Sequence, residues 1–236
     1  AAAGKRSGRA TGAGCVAIST SENHKEIGAV VLESETDFVS QNEGFVALAR
    51  ELAEIFQHQE PGNDPLAVSH GDKTVGQLIE EGIAKFRENI KLSKAVHLRT
   101  ADNSFASYIH HTPNKGAIVE VAGTAANGHA VGREMAIQTV AFPPEFVSKD
   151  QVPEEFVKKQ MEVEIQRALN EGKPQNIAEN IAKGRINKEV MQSVVLLEQP
   201  FYKEQSKTVG TYLAEESKAA GADIKIVNFI RLNVGE

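Results

Sequence analysis

Apolar and polar positions alternate with period two in two stretches far apart in the chain. Segment 73–100 reads KTVGQLIEEG…NIKLSKAVHLRT, and segment 207–234 reads KTVGTYLAEE…DIKIVNFIRLNV. In the first, Leu92, Val96 and Leu98 share one side, and Lys91, Ser93, His97 and Arg99 share the other. In the second, Ile224, Ile226, Ile230, Leu232 and Val234 fall on one side. Such alternation predicts strands that bury one face. Both segments open with Lys-Thr-Val-Gly and align without a gap, 134 positions apart. Each strand is preceded by a short predicted helix, with Thr74 and Thr208 placed to cap the helix start.

A second repeated pair lies upstream. GAVVLES begins at Gly28 and GAIVEVA at Gly116, and both β-branched runs predict strands. A helix is predicted after each, over 45–56, where apolar residues recur at helical spacing, and over 128–141. One further strand is predicted before each, over 15–19 and 105–109. Each half thus reads as strand, strand, helix, helix, strand. The expected class is α+β: two repeated subdomains with small antiparallel sheets and helices packed on one face.

The second half carries about 46 more residues than the first. The extra segment predicts two helices joined at Glu171-Gly172-Lys173-Pro174, with Gly ending one helix and Pro in the first turn of the next. Val157, Met161, Ile165 and Leu169 form one apolar stripe, and Ile177 and Ile181 begin another. Such a hairpin is expected to project or to meet a partner; the alternative is packing flat on its own core. The expected organisation is a linker at 1–12 and a first core subdomain at 13–103. A second core subdomain takes 104–150 and 200–236, and the helical hairpin takes 151–199.

Composition narrows the function. Net charge is −6, with a basic cluster, Lys5, Arg6 and Arg9, in the Gly/Ala-rich leader. A general nucleic-acid or anionic-membrane binder needs a basic surface, so neither partner is expected. Cys15 is the only cysteine, which excludes an internal disulfide. No run of 18 apolar residues exists, and the first twenty residues lack the apolar core of a signal peptide. A cytoplasmic location is expected.

Motifs for chemistry are scarce. His110 and His111 are adjacent, and neighbours on a strand point to opposite faces, so no metal is expected there. Gly12-Ala13-Gly14 precedes a strand instead of opening a helix, unlike a dinucleotide fingerprint. No phosphate-binding loop or nucleophile elbow occurs, and Cys15 has no nearby base. No cofactor is expected.

SETDFVSQNE, residues 34–43, poses the sharper question. Ser40 with Glu43 suggests a capping box for the following helix, with Asp37 as the other candidate cap. Neither explains Phe38, which either folds back onto its own sheet or stands ready for another protein.

The segment ETDFVSQNEGF resembles the Glu-Thr-Asp-Phe-Val signature of the translation elongation factor Ts family. SYIHH at 107–111 followed by GAIVEV, NEGKPQNIAENIAKGRINK at 170–188, LLEQPF at 196–201, SKTVG at 206–210 and FIRLNVGE at 229–236 also resemble that family, in order along the chain. The resemblance implies paired core subdomains and a coiled-coil module at the inserted hairpin. Members open with a small helical domain, and this chain is expected to start at the linker after it. It further implies a guanine nucleotide exchange factor, which makes no covalent change and therefore is not an enzyme in that sense. The implied partner is elongation factor Tu, GDP-bound and nucleotide-free. Thr36, Asp37, Phe38 and Val39 would enter it and dislocate its Mg²⁺ and phosphate site. Gln138 stands where some members carry a partner-contacting His, and is an expected further contact. Two readings from other classes are an interaction module without exchange activity and an enzyme with an unrecognised site.

Overall fold

The structure is a computed structural model, described here for residues 8–123 and 128–236. Residues 1–7, with Lys5 and Arg6 of the expected linker, lie outside the described residues. The chain is tied down early: Thr11 Oγ1 donates to Glu33 at 2.7 Å, and the Arg9 carbonyl accepts from Asn89 Nδ2 at 2.7 Å.

The first half contains β1 (Ala13–Thr20), β2 (Glu26–Ser34), the single turn α1 (Asp37–Ser40) and α2 (Glu43–His58). A short ladder of β3 (Ser69–His70) and β4 (Lys73–Thr74) leads into α3 (Val75–Phe86) and β5 (Ile90–Arg99). The second half opens with β6 (Ser104–Ile109), β7 (Lys115–Ala122) and α4 (Gly128–Ala141). The hairpin helices α5 (Glu154–Asn170) and α6 (Gln175–Arg185) follow, then a π-helical turn (Ile186–Val190) and α7 (Met191–Val194). A ladder of β8 (Pro200–Phe201) and β9 (Glu204–Thr208) leads into α8 (Val209–Ala220) and β10 (Lys225–Asn233).

The two halves repeat in detail. Each has a three-stranded antiparallel sheet, ordered β1-β2-β5 in one and β6-β7-β10 in the other. Thr74 and Thr208 cap α3 and α8, each hydroxyl accepting from the backbone amide three residues on. Lys73–Glu81 and Lys207–Glu215, both 2.7 Å apart, are the same ion pair in the two copies. Both helices end on a left-handed residue with φ 62°, Arg87 and Gly221.

The strands depart from plain alternation. In β5 the pairing with β2 skips from Lys94 to Leu92, leaving Ser93 as an extra residue. In β10 the pairing with β7 skips Val227. A bulge of one residue moves every later side chain to the opposite face. Leu92 therefore packs with Cys15, Ala17, Val30, Leu32 and helices α2 and α3, whereas Val96 and Leu98 face the other way. Likewise Ile224 and Ile226 pack under α8, while Ile230, Leu232 and Val234 turn away. The expectation of one shared apolar side in each strand is corrected by these bulges.

The other face of each sheet is not a solvent face. Val16, Ile27, Ala29, Val31 and Val96 of one sheet pack with Phe105, Ile118 and Leu232 of the second. The result is four layers, helices, sheet, sheet, helices, with a shared apolar centre. Backbone bonds cross it at the edges: Val16 N donates to Pro113 O at 2.6 Å and Phe105 N to His24 O at 2.8 Å. On the outer face, α2 lies directly on β2 at Gly28, where an added Cβ would meet Gln57 N at 2.1 Å.

In the hairpin, α5 ends in a turn closed by Gly172 N to Leu169 O (2.9 Å) and Lys173 N to Ala168 O (3.1 Å), with Gly172 at φ 81°. That pattern needs a left-handed residue, which glycine adopts without a steric penalty. Pro174 takes the cap position before α6, one residue earlier than expected. The fully buried seam is made by Ala168, Ala178 and Ala182; the expected stripe Val157, Met161, Ile165 and Leu169 is half-buried. Arg185 ties the two helices together through Glu171 at 2.7 Å and Glu164 at 3.5 Å. Where the hairpin joins the rest, Ile186, Met191 and Val195 pack with Phe146, Val152, Val157 and Met161.

The two positions at β10 should respond differently to truncation. Leu232→Ala, in the shared centre, is expected to cost about 2–5 kcal/mol. Val227→Ala, at the exposed bulge, is expected to cost about 0.5 kcal/mol or less. Urea unfolding of the two variants checks this; equal losses would remove the bulge as the point where β10 changes faces.

Candidate functional site

The segment after β2 forms a tip braced from two sides. Ser34 Oγ donates to Thr36 O at 3.1 Å. One helical turn follows, closed by Ser40 N to Thr36 O at 3.2 Å and Gln41 N to Asp37 O at 3.0 Å. Val39 packs against the first-half core and Ser40 is buried, its Oγ donating to Asp37 O at 3.1 Å. The turn's inward residues anchor it, and its opposite side carries Asp37 and Phe38 into solvent.

Phe38 is 92% exposed. Among the described large apolar residues it is the most exposed, ahead of Val163 at 58%. The reading in which Phe38 folds back onto its own sheet is therefore overturned. The expected capping box is also replaced. Asn42 caps α2, its Oδ1 accepting from Gly44 N at 2.9 Å, because Ser40 is already used inside α1.

Sequence reading did not single out the residues that hold this tip. Glu88, in the turn between α3 and β5, accepts from Thr36 N at 3.0 Å and from Thr36 Oγ1 at 2.6 Å. In return, Glu35 Oε1 accepts from Asn89 N at 2.7 Å, and Arg9 lies 3.4 Å from Glu35 Oε2. No local pattern marks Glu88, which is 52 positions from its partner.

Gln138 is placed elsewhere, inside α4 and without exposed surface. Its Nε2 donates to Gln199 Oε1 at 3.0 Å and Pro200 O at 3.2 Å, and its Oε1 accepts from Tyr202 N at 2.8 Å. Gln199 Nε2 in turn donates to Phe142 O at 2.9 Å and Ser193 O at 3.1 Å. The further contact expected at Gln138 is thus a buried residue in this structure, and its amide holds the return from the hairpin against α4. Beside it, Glu134 accepts from Tyr202 and from Lys203, the latter at 2.8 Å. Burial alone would raise the Glu134 carboxyl; the bonds from Lys203 and Tyr202 outweigh it and hold the group below its usual range. The Tyr202 hydroxyl is raised by burial and by donating to that carboxylate.

His110 and His111 lie past the end of β6, with ring centroids 4.0 Å apart. The strand argument that separated them does not apply there. Among the described residues, no group of three or more His, Cys, Asp or Glu side chains is arranged to hold a metal ion. Burial pushes the Cys15 thiol up to about 12, which leaves it a core side chain and not a nucleophile. No helix among the described residues is long and apolar enough to cross a membrane.

Replacing the buried amide tests its holding role. Gln138→Leu removes the acceptor of Tyr202 N and is expected to destabilise the protein by about 2–4 kcal/mol in urea unfolding. A loss below about 0.5 kcal/mol would mean that water or Gln199 replaces the lost bonds.

The profile of the family described as Elongation factor TS matches residues 35–236. Elongation factor Ts of Clostridioides difficile (strain 630) is 35% identical over 239 residues, covering 99% of this chain and 78% of that protein. Elongation factor Ts of Chloroherpeton thalassium is 36% identical over 244 residues, covering 100% of this chain and 84% of that protein. That of Clostridium botulinum (strain Alaska E43 / Type E3) is 35% identical over 241 residues, with 100% and 79% covered.

Proposed function

The chain belongs to the elongation factor Ts family of translation factors, and on that premise we propose that it releases GDP from elongation factor Tu by driving Phe38 into the GTPase. The observation that carries the proposal is a phenylalanine 92% exposed on a turn whose other side is anchored in a core. An apolar side chain held in water by its own fold gains on entering a pocket of another protein. Thr36 and Val39 set the turn, and Asp37 lies beside Phe38 for polar contacts at the pocket mouth. Entry of Phe38 displaces partner groups that position Mg²⁺ and the phosphates, so GDP leaves faster. GTP binding then expels the factor.

The mechanism is one of binding energy without covalent chemistry. Whatever the factor takes from nucleotide affinity, nucleotide takes from the factor's affinity, because the coupling is reciprocal. Burying a Phe is worth roughly 1.5–3 kcal/mol. A ten-thousandfold shift needs about 5.5 kcal/mol of differential binding. Phe38 therefore acts together with wider docking. In this reading residues 13–103 carry the wedge, residues 104–150 and 200–236 supply a second docking surface, and the hairpin at 151–199 grips as a coiled-coil module. The factor works in the cytoplasm, on GDP-bound and nucleotide-free partner, without direct contact to nucleic acid.

Release of fluorescent GDP from elongation factor Tu tests the wedge. Phe38→Ala is expected to slow the release rate at saturating factor by about tenfold or more, from the lost burial, while docking weakens less. An unchanged rate at saturation would refute the wedge. Failure of the unaltered chain to bind the GTPase would instead favour an interaction module without exchange activity.

A further inference from the structure

We propose that Glu88 is the positioning residue of the exchange tip: its carboxylate holds Thr36 so that the turn carrying Phe38 is preformed before the partner arrives. This rests on the wedge reading of Phe38 and adds to it the group that keeps the wedge in place.

The geometry is a reciprocal clasp between two turns. One carboxylate from each turn accepts a backbone amide of the other. Glu88 takes Thr36 N at 3.0 Å, and Glu35 takes Asn89 N at 2.7 Å. Glu88 also takes the Thr36 hydroxyl at 2.6 Å, a second bond to the residue that begins α1. Asn89 is buried, and its Nδ2 donates to Arg9 O at 2.7 Å, which fixes the second turn from below. Bonds to a carboxylate are stronger than neutral ones. Two of them on one residue fix both the backbone and the side chain of Thr36.

The repeat supplies an internal control. The cap, the ion pair, the left-handed helix end and the bulge occur in both halves, so the fold uses them twice. The two carboxylates of the clasp do not recur in the sequence: by the repeat that aligns Gly28 with Gly116, Gly123 stands at the position of Glu35. Arg87 and Gly221 share the left-handed position, so Glu88 corresponds to Ala222 and Asn89 to Asp223. In the second half the two turns meet by backbone contact instead: a Cβ on Gly123, which has φ 82°, would lie 2.0 Å from Asp223 O. The second copy of the supersecondary unit thus lacks both clasp carboxylates in its sequence. Glu88 is present in the half that bears the exposed Phe, which separates its role from that of the fold.

A preformed tip removes the cost of ordering it on contact, so its loss should appear in the step that uses Phe38 more than in docking by other surfaces. The chain contains no tryptophan, so Phe38→Trp introduces one reporter at the tip. In the free protein, Glu88→Ala is expected to lower the fluorescence anisotropy of that tryptophan, and Thr36→Val to lower it less. With elongation factor Tu and phenylalanine restored at 38, Glu88→Ala is expected to slow GDP release at saturation by about tenfold, with the half-saturating concentration changed by less than about threefold. Thr36→Val combined with Glu88→Ala should be no slower than Glu88→Ala alone, since both remove one interaction. Far-ultraviolet circular dichroism and urea unfolding establish that each variant is folded. Unchanged anisotropy in Glu88→Ala overturns the proposal, as does a lowered anisotropy with GDP release unaltered while Phe38→Ala is slow. If Phe38→Ala itself releases GDP at the unaltered rate, the wedge reading fails and takes the exchange role of Glu88 with it. The anisotropy then separately reports whether Glu88 holds the turn.

Discussion

One extra residue in each third strand determines how the molecule is layered. Ser93 in β5 and Val227 in β10 each reverse the parity of the side chains that follow. On one side of each bulge Leu92, or Ile224 and Ile226, pack under the strand's own helices; on the other side Val96 and Leu98, or Ile230 and Leu232, reach the other sheet while Ala95 and Phe229 stay on the helix side. A strand without the bulge would send its apolar residues to one face and leave the other unmatched. With it, both faces of each sheet find apolar partners, and neither half completes its core alone. The shared centre, from Val16 and Ile27 to Ile118 and Leu232, makes the two halves one base. A side chain presented from the end of β2 is then borne by the whole body and not by a loose subdomain.

The repeat separates what the fold requires from what is particular to one half. Paired caps, paired Lys–Glu bridges and paired left-handed helix ends serve both copies. Three features are particular to one half: Phe38, whose aligned position holds Ala126; the clasp carboxylates Glu35 and Glu88, whose aligned positions hold Gly123 and Ala222; and the inserted hairpin with its buried alanine seam. In the second half the buried Gln138–Gln199 pair instead ties α4 to the chain returning from the hairpin. A satisfied polar network of this kind fixes one arrangement among several apolar packings of similar energy. It suits a joint whose direction matters.

Much of this was legible in the sequence because local rules generate it. Lys-Thr-Val-Gly at 73 and 207 names two caps and two helix starts. Period two from residue 90 and from residue 224 names two strands. Gly172 and Pro174 name the hairpin turn. The bulges were not legible, because Ser93 and Val227 carry no local mark and the parity change depends on what lies across the sheet. The burial of Gln138 was hidden for the same reason: its partners are more than sixty positions away. At the tip, Thr-Asp-Phe-Val showed that an apolar residue stood beside a cap, but Ser40–Glu43 pointed to the wrong cap. The placement of Glu88 against Thr36, with Val39 and Ser40 anchored beneath, explains how a four-residue turn stays formed.

That turn bears on how an exchange factor of this kind divides its energy. An exposed Phe gives up, in the free protein, the roughly 1.5–3 kcal/mol that burial would return. This energy is recovered only against a partner that opens for it. Docking surfaces that touch the partner equally well in both nucleotide states raise affinity but shift nothing. In the proposed mechanism the tip is different, because its pocket exists only when the groups around Mg²⁺ and the phosphates have moved. A floppy tip would lose part of that differential energy to its own ordering, and a tip folded onto its sheet would lose all of it. Anchoring by Val39 and Ser40 below, and by Glu88 at the side, leaves the side chain at 38 exposed and the backbone beneath it held. On the proposed mechanism, this arrangement directs a modest burial energy to the one step where it distinguishes the two states of the partner.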